Sequence, residues 1–453
     1  MAVAPQMSEA VDVGQLIDQG RWTGYQKWLV FLTALTIIFD GIDNQLLGIT
    51  IPTIVREWSV PRAAFAPVVS LGYLGMLVGG AVAGVAGDRF GRRTALLASM
   101  AVFGLMTFGA AMVTSVSALA VLRLLAGLGL GGAIPNAGTL AAEYVPRDRR
   151  PLAVTMTIVC VPVGATIAGL LGIRVLPALG WRALFVIGGA MPIVVAVVLA
   201  RVLPESPRYL VRHSTRWREL RGLLRRIGHD TGDTQTFIDS TERPAMRAPV
   251  RALLRPEFRR DTFALWGSFF CCLLAVYLAF SWLTSLLTGA GFSSSVASTG
   301  ITAFNLGGVV GAIAGGFVIG HVGSRIAMLG MTAGAIAGAF VLSTMTIAAT
   351  APLLPILVML TLTGGLINAV QTTMYALPTH VYPSPIRATG MGTALAIGRL
   401  GAILSGYAGA AAIDYRGSFS YFALMGIAMC LCFLALVAVR HHIEPASSGS
   451  PRV

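Results

Sequence analysis

Charge is scarce in this chain: Asp, Glu, Lys and Arg make up only 11% of its 453 residues, against about 25% in a soluble domain. Hydrophobic residues make up 55% and the mean hydropathy is +0.77, which excludes an ordinary soluble globule. Cysteine is also sparse. The five present, Cys160, Cys271, Cys272, Cys430 and Cys432, lie inside apolar runs without metal-type spacing and read as core thiols. No nucleophile, metal or phosphate motif stands out, so neither an enzyme nor a cofactor is expected. The first residues, Met1 to Gly20, are polar and acidic rather than basic and then apolar, and no cleavable signal peptide is expected.

What the chain has instead is a series of apolar runs near the ~20 residues that cross a bilayer. They fall near 28–52, 64–86, 94–114, 117–141, 152–173 and 182–203, then 262–288, 296–319, 326–349, 353–377, 388–412 and 418–439. Net charge is +14, which alone would suggest nucleic acid, but the positions of the charges argue for a lipid bilayer. With a cytoplasmic N-terminus, 26 of the 33 Lys and Arg fall on the cytoplasmic side, five outside and two within helices. That asymmetry is the positive-inside pattern, and it places both termini in the cytoplasm.

Residues 204–260 break the apolar pattern and carry fourteen arginines counted from Arg201 to Arg260. They read as a linker between six-helix halves at 27–203 and 261–440, flanked by a cytoplasmic segment 1–26 and tail 441–453. Within the linker, Leu210 to Ile227 is either a basic amphipathic helix on the membrane surface or a solvated connector. The halves repeat: at an offset of 237, Gly127 aligns with Gly364, Pro146 with Pro383 and Arg150 with Arg387. The expected fold is an all-α membrane protein with twelve helices in two parallel-repeat halves, the architecture of carriers whose site lies between the halves.

Asp40-Gly41-Ile42-Asp43 stands in the middle of the first apolar run. A carboxylate at membrane depth is costly and marks function. At 1.5 Å per residue from Lys27, Asp40 and Asp43 lie about 20 and about 24 Å along the helix, past the centre of a ~30 Å core. Three residues apart, they share nearly one face and repel each other when both are ionised, which invites protonation. The alternative is a pair tied permanently to arginine, and Arg123, at a similar depth in the fourth run, is the expected partner of Asp43.

Gly87-Asp88-Arg89-Phe90-Gly91-Arg92-Arg93 resembles the cytoplasmic-loop signature of the major facilitator superfamily, and Pro204-Glu205-Ser206-Pro207-Arg208 the signature many of its solute carriers have after helix six. Asp40-Gly41-Ile42-Asp43 resembles the Asp-Gly-x-Asp motif of its aromatic acid:proton symporters, as does the run from Arg123 through Gly127, Gly129, Gly131 and Gly132 to Pro135-Asn136 and Glu143. Asn44-Gln45-Leu46-Leu47 departs from the usual continuation. The resemblance implies a bacterial inner-membrane symporter that couples a proton, at Asp40 or Asp43, to import of benzoate- or hydroxybenzoate-like carboxylates. It also implies that Asp88 and Arg92 latch one access state, with Glu143, Arg150, His380 and Arg387 as further gate candidates. His380 stands at the repeat position of Glu143, either as a pH sensor or as a gate hydrogen bond.

For substrate contact, Arg399 either receives the carboxylate bidentately or only neutralises acids. Tyr277 and Trp282 offer stacking walls or are plain core, and Arg123, Asn136, Asn305 and Gln371 supply polar groups that are costly to leave unpaired in a membrane. The rival assignments are a facilitator for sugars, drugs or other ions, and a transporter-like sensor. Helix five lacks the Gly-Pro-x-x-Gly-Gly of drug antiporters and helix seven lacks the paired glutamines of sugar porters, which favours an organic anion. A monomer is expected to suffice, with no nucleic-acid partner.

Overall fold

The computed structural model describes residues 10–231, 236–241 and 249–445. Its first membrane helix, α1 (Gly24–Trp58), begins at a capping box in which Thr23 and Gln26 satisfy each other's backbone donors. There follow α2 (Ala66–Phe90), α3 (Arg92–Ala110) and α4 (Val116–Tyr144). The next helical stretch, Arg150–Val202, is 53 residues, about 80 Å and far longer than a ~30 Å core. Gly180, at φ 74° and ψ 178°, breaks it. Only glycine adopts that backbone cheaply, so the stretch divides into α5 (150–179) and α6 (181–202).

The second half contains α7 (Pro256–Gly289), α8 (Ser294–Val322), α9 (Ser324–Thr344), α10 (Leu353–Met374), α11 (Ser384–Arg416) and α12 (Ser418–Ala438). Eleven stretches among the described residues are long and apolar enough to cross a membrane, one of them being the divided α5–α6. Twelve crossings result, as the apolar runs predict.

The repeat is visible in the packing. In the first half α1 packs on α5 and α2 on α4, and the second half answers with α7 on α11 and α8 on α10. The halves then meet through α5 with α8, α2 with α11, and α1 with α7, each contact matched under exchange of the halves. The α1–α5 crossing depends on glycine, since a Cβ at Gly41 would lie 2.2 Å from the Val161 carbonyl oxygen and one at Gly164 2.0 Å from that of Ile38.

The linker is folded where described. Its helix Trp217–Ile227 buries Leu220, Leu223, Leu224 and Ile227 against the protein, so neither a membrane-surface helix nor a solvated connector describes it. Strand β1 (Val11–Asp12), ahead of the helix Val13–Gln19, pairs in parallel with β2 (Phe237–Ile238) of the linker. The reason is sequence-remote: an amphipathic face is satisfied by protein as well as by lipid, and pattern alone cannot choose between them.

Candidate functional site

The two aspartates of α1 are both fully buried, yet they face different partners. Asp43 turns into its own half. Its Oδ2 lies 3.0 Å from Arg123 Nη2 of α4, its Oδ1 accepts from Arg123 Nη1 at 3.3 Å, and Thr107 Oγ1 of α3 donates to the same oxygen. Asp40 turns toward the other half. Its Oδ2 accepts a long 3.4 Å bond from Asn44 Nδ2, its Oδ1 has no hydrogen-bond partner among the described residues, and its charge is felt by Arg399 of α11. The common cavity expected from their spacing is therefore divided, although the two carboxyls still act on each other.

Arg399 is half-buried at the seam between the halves. Its Nη1 donates to the Tyr277 hydroxyl of α7 and approaches Met76 Sδ of α2 at 3.6 Å, and its guanidinium lies 5.5 Å from the centre of the Tyr277 ring. Tyr277 in turn leans on Tyr73 of α2 with ring centroids 4.5 Å apart, and Tyr73 shares a 2.8 Å hydrogen bond with Ser281. Tyr375 of α10, which hydrogen-bonds Gln371, also acts on Arg399. A small cavity of about 10 Å³ lies beside this group, lined among others by Asn44, Tyr73, Met76, Arg123 and Ser281, room for about one water.

The structure thus brings Asp40, Arg399, Tyr277 and Gln371 into one cluster, with Asp43 and Arg123 adjoining it. Other candidates lie elsewhere. Trp282 is fully buried and donates Nε1 to the Ser405 carbonyl at 3.1 Å, tying α7 to α11. Asn136 donates to the Gly132 and Ala83 carbonyls at 2.8 and 3.2 Å, joining α4 to α2. Asn305 of α8 donates to Gln45 Oε1 at 3.1 Å, while Gln45 Nε2 donates to the Phe280 carbonyl at 2.9 Å, so these amides clasp one half to the other. The amide donors of Asn136 and Asn305 thus go to backbone or to another amide, while the Oδ1 atoms of both are buried with no hydrogen-bond partner among the described residues.

Tyr73, Thr107, Gln45 and Tyr375 escape the sequence reading. Tyr73 alone carried a signal, as a phenol set between the glycines Gly72 and Gly75 of an otherwise apolar helix.

At the end of the bundle that bears the termini, Asp88 pairs with Arg92 within the α2–α3 turn, and Glu143 accepts from Ser206. Arg150 pairs with Asp18 and donates Nε to the Ala142 carbonyl at 3.1 Å, and Arg387 donates to the Tyr382 carbonyl at 3.3 Å. His380 is exposed and makes no hydrogen bond among the described residues, contrary to the gate bond expected of it. Glu205, fully buried, accepts from the backbone amides of Arg93 and Ser206 at 2.9 Å each and so joins the two loop signatures.

The cross-half bonds described lie from mid-bundle to the opposite end: Gln45 with α7 and α8, Thr284 Oγ1 to the Gly48 carbonyl, Ser70 Oγ to the Ile403 carbonyl at 2.7 Å, and Arg62 with Asp414 at 3.3 Å. They close that end.

Against known proteins, the Major Facilitator Superfamily profile matches residues 33–406. The chain belongs to the major facilitator superfamily. It is a multi-pass membrane protein of a transporter family, not an enzyme. The "Gallate transporter" of Pseudomonas putida is 33% identical over 96% of this chain and 97% of its own, and the "4-hydroxybenzoate transporter PcaK" of the same organism is 33% identical over 91% and 92%. The "Benzoate transport protein" of Acinetobacter baylyi is 28% identical over 88% and 86%. Among solved structures, the partially occluded inward-open xylose transporter XylE of E. coli superposes with a TM-score of 0.73 at 17% identity, covering 95% of this chain and 100% of its own, a likeness of fold.

Proposed function

We propose that this facilitator is a proton-coupled symporter that imports aromatic carboxylates, benzoate- or hydroxybenzoate-like, across a bacterial inner membrane by alternating access. Both termini are cytoplasmic, one copy suffices, and the closed end of the bundle faces outward. The substrate class rests on relatives named for gallate, 4-hydroxybenzoate and benzoate, and on a cluster that joins a guanidinium to aromatic rings at the interface of the halves.

One observation carries the coupling: the buried Asp40 with a partnerless oxygen, in electrostatic contact with Arg399. A buried charge without full compensation is costly, and a proton removes that cost. While Asp40 is ionised it is the counter-charge of Arg399. A proton on Asp40 releases Arg399 as an uncompensated cation, which then takes the substrate carboxylate in its planar fork. Tyr277 and Tyr73 supply the wall against which the ring lies. Loss of the substrate to the cytoplasm returns Arg399 to Asp40 and expels the proton. Asp43, paired with Arg123 and accepting from Thr107, anchors α1 to α3 and α4.

Uptake of labelled 4-hydroxybenzoate, gallate and benzoate into proteoliposomes under an imposed pH gradient tests this. Asp40→Asn is expected to abolish accumulation while exchange at equal concentrations persists. A variant that still concentrates substrate against its gradient refutes the coupling role, and transport of a neutral solute instead refutes the substrate class.

A further inference from the structure

At the closed end of the bundle lies a second pocket, of about 110 Å³, on the seam between the halves. Pro52, Val55 and Arg56 of α1 line one side, Ser285, Thr288 and Gly289 of α7 the other, and Arg62, from the turn after α1, closes it. Three features of this place have no part in the cluster below it. The Ser285 hydroxyl is buried, 2% of the residue being exposed, and has no hydrogen-bond partner among the described residues. Arg56 is exposed and makes no ion pair among the described residues, because its neighbour Glu57 is committed to Arg182 at 2.5 Å and to Trp181 Nε1 at 2.6 Å. Arg62 is held across the seam by Asp414 of α11 through a single 3.3 Å contact from Nη1.

Guanidinium and carboxylate pair most strongly when both forks engage at about 2.7–2.9 Å. The Arg62–Asp414 contact is longer, one-pronged and half-exposed, so it contributes little and exchanges easily. Arg62 Nη2 lies 2.9 Å from the position a Cβ would take on Gly289, so the glycine lets the guanidinium lie flat over the end of α7 with its second edge unengaged by Asp414. A carboxylate already occupies one edge of this arginine, which fixes the chemistry of what can replace it. The field favours an anion as well. Five arginines stand at this end against two acids, Glu57 and Asp414, and a mouth of one sign concentrates the opposite ion.

We infer that Arg56, Arg62 and the Ser285 hydroxyl form an outer carboxylate-binding site, and that an incoming carboxylate displaces Asp414 from Arg62. Arg62 and Arg56 hold the anion and Ser285 donates to it. Release of Asp414 removes the outermost bond between α11 and the first half, on the helix whose Arg399 takes the substrate fifteen residues, about 22 Å, deeper. The substrate's own charge thus takes the place of one of the bonds that close the outer end. This rests on the proposed function, from which it takes the anionic substrate and the outward direction.

Initial rates of labelled 4-hydroxybenzoate uptake by the full-length protein in proteoliposomes test it. Arg62→Gln is expected to raise KM roughly tenfold and Arg56→Gln a few-fold, each with maximal rate within about twofold. Asp414→Asn removes the internal competitor and is expected to lower KM. Raising salt from about 20 to about 300 mM is expected to raise the wild-type KM and to narrow its gap from Arg56→Gln. If Arg62 and Asp414 were only a structural clasp, their variants would shift KM in the same direction, and that result overturns the site. Unchanged KM in both arginine variants overturns it too. Arg56, exposed and unpaired, can be replaced without risk to the fold, so a poorly folded Arg62 variant leaves a decisive measurement. Wild-type uptake with arginine-independent KM defeats this site alone, whereas no carboxylate uptake by the wild type defeats the proposed function and this site with it.

Discussion

Asp40 and Asp43 are the same residue type, one helical turn apart and equally buried, yet Asp43 makes an ion pair with Arg123 and accepts from Thr107, while Asp40 has only a long bond from Asn44. The difference is which half of the molecule supplies the partner. Asp43 is met by α3 and α4 of its own half, which move with it, so its ion pair persists whichever way the halves lean. Asp40 is met by Arg399 of the opposite half, so under the proposed alternating access its counter-charge would come and go with the seam. On that proposal a carboxylate paired within one half is structure, and one paired across the interface of the halves is a switch.

The largest expected effect breaks the ion-paired member. Removing one partner of a buried ion pair strands the other charge, at a cost of about 3–5 kcal/mol, so Asp43→Asn and Arg123→Gln are each expected to lower the thermal unfolding midpoint in detergent. The double variant should lose less than the sum of the two, because neither charge is left alone. Wild-type midpoints in both single variants would erase the distinction drawn between the aspartates. By the same logic Asp40→Asn removes a charge that lacks full compensation. Its midpoint is expected to stay within about 1 kcal/mol of wild type while accumulation is lost, a split that Asp43 variants should not show.

How much of this was legible beforehand differs by kind of residue. Twelve crossings, the repeat and the depth of Asp40 follow from hydropathy and spacing, because a bilayer imposes length and polarity on every helix. The Arg123 partner of Asp43 was legible because both are charges at one depth. The division between Asp40 and Asp43 was not, since it depends on the rotation of α1 against two different halves. Trp282, open between a stacking wall and plain core, and Asn136, weighed for substrate contact, bond the backbone of neighbouring helices, a use that leaves no mark in the sequence. The linker helix is similar: its apolar stripe was visible, and the protein surface that covers it was not.

A smaller effect is expected at the cross-half partner itself. Arg399→Lys keeps the charge but loses the planar fork that reaches Tyr277 and the substrate together, so KM for 4-hydroxybenzoate is expected to rise roughly tenfold. Accumulation should persist, since a cation still faces Asp40. Tyr277→Phe removes one hydrogen bond and keeps the ring, and a rise of a few-fold is expected. Equal effects of the two substitutions would mean that the hydroxyl, not the guanidinium, recognises the anion.

The smallest expected effect separates the switch from a titrating group outside the membrane. His442, beyond the end of α12, shares a 3.1 Å hydrogen bond with Ser324 Oγ, and Ile443 bonds the same serine through its backbone amide at 2.8 Å. Burial, together with the nearby Arg325 charge, holds the His442 imidazole below its ordinary value of 6.5. Because the folded state prefers the neutral ring, its contribution to docking the tail is whole above that value and is lost as pH falls below it. The protection factor of the Ile443 amide, its exchange corrected for the intrinsic pH dependence, is therefore expected to fall as pH drops below about 6.5, and His442→Gln should remove that dependence. If the pH profile of uptake belongs to Asp40, it passes unchanged through His442→Gln. A profile that shifts with the tail would place the pH dependence outside the membrane and take from Asp40 the property that sets it apart from Asp43.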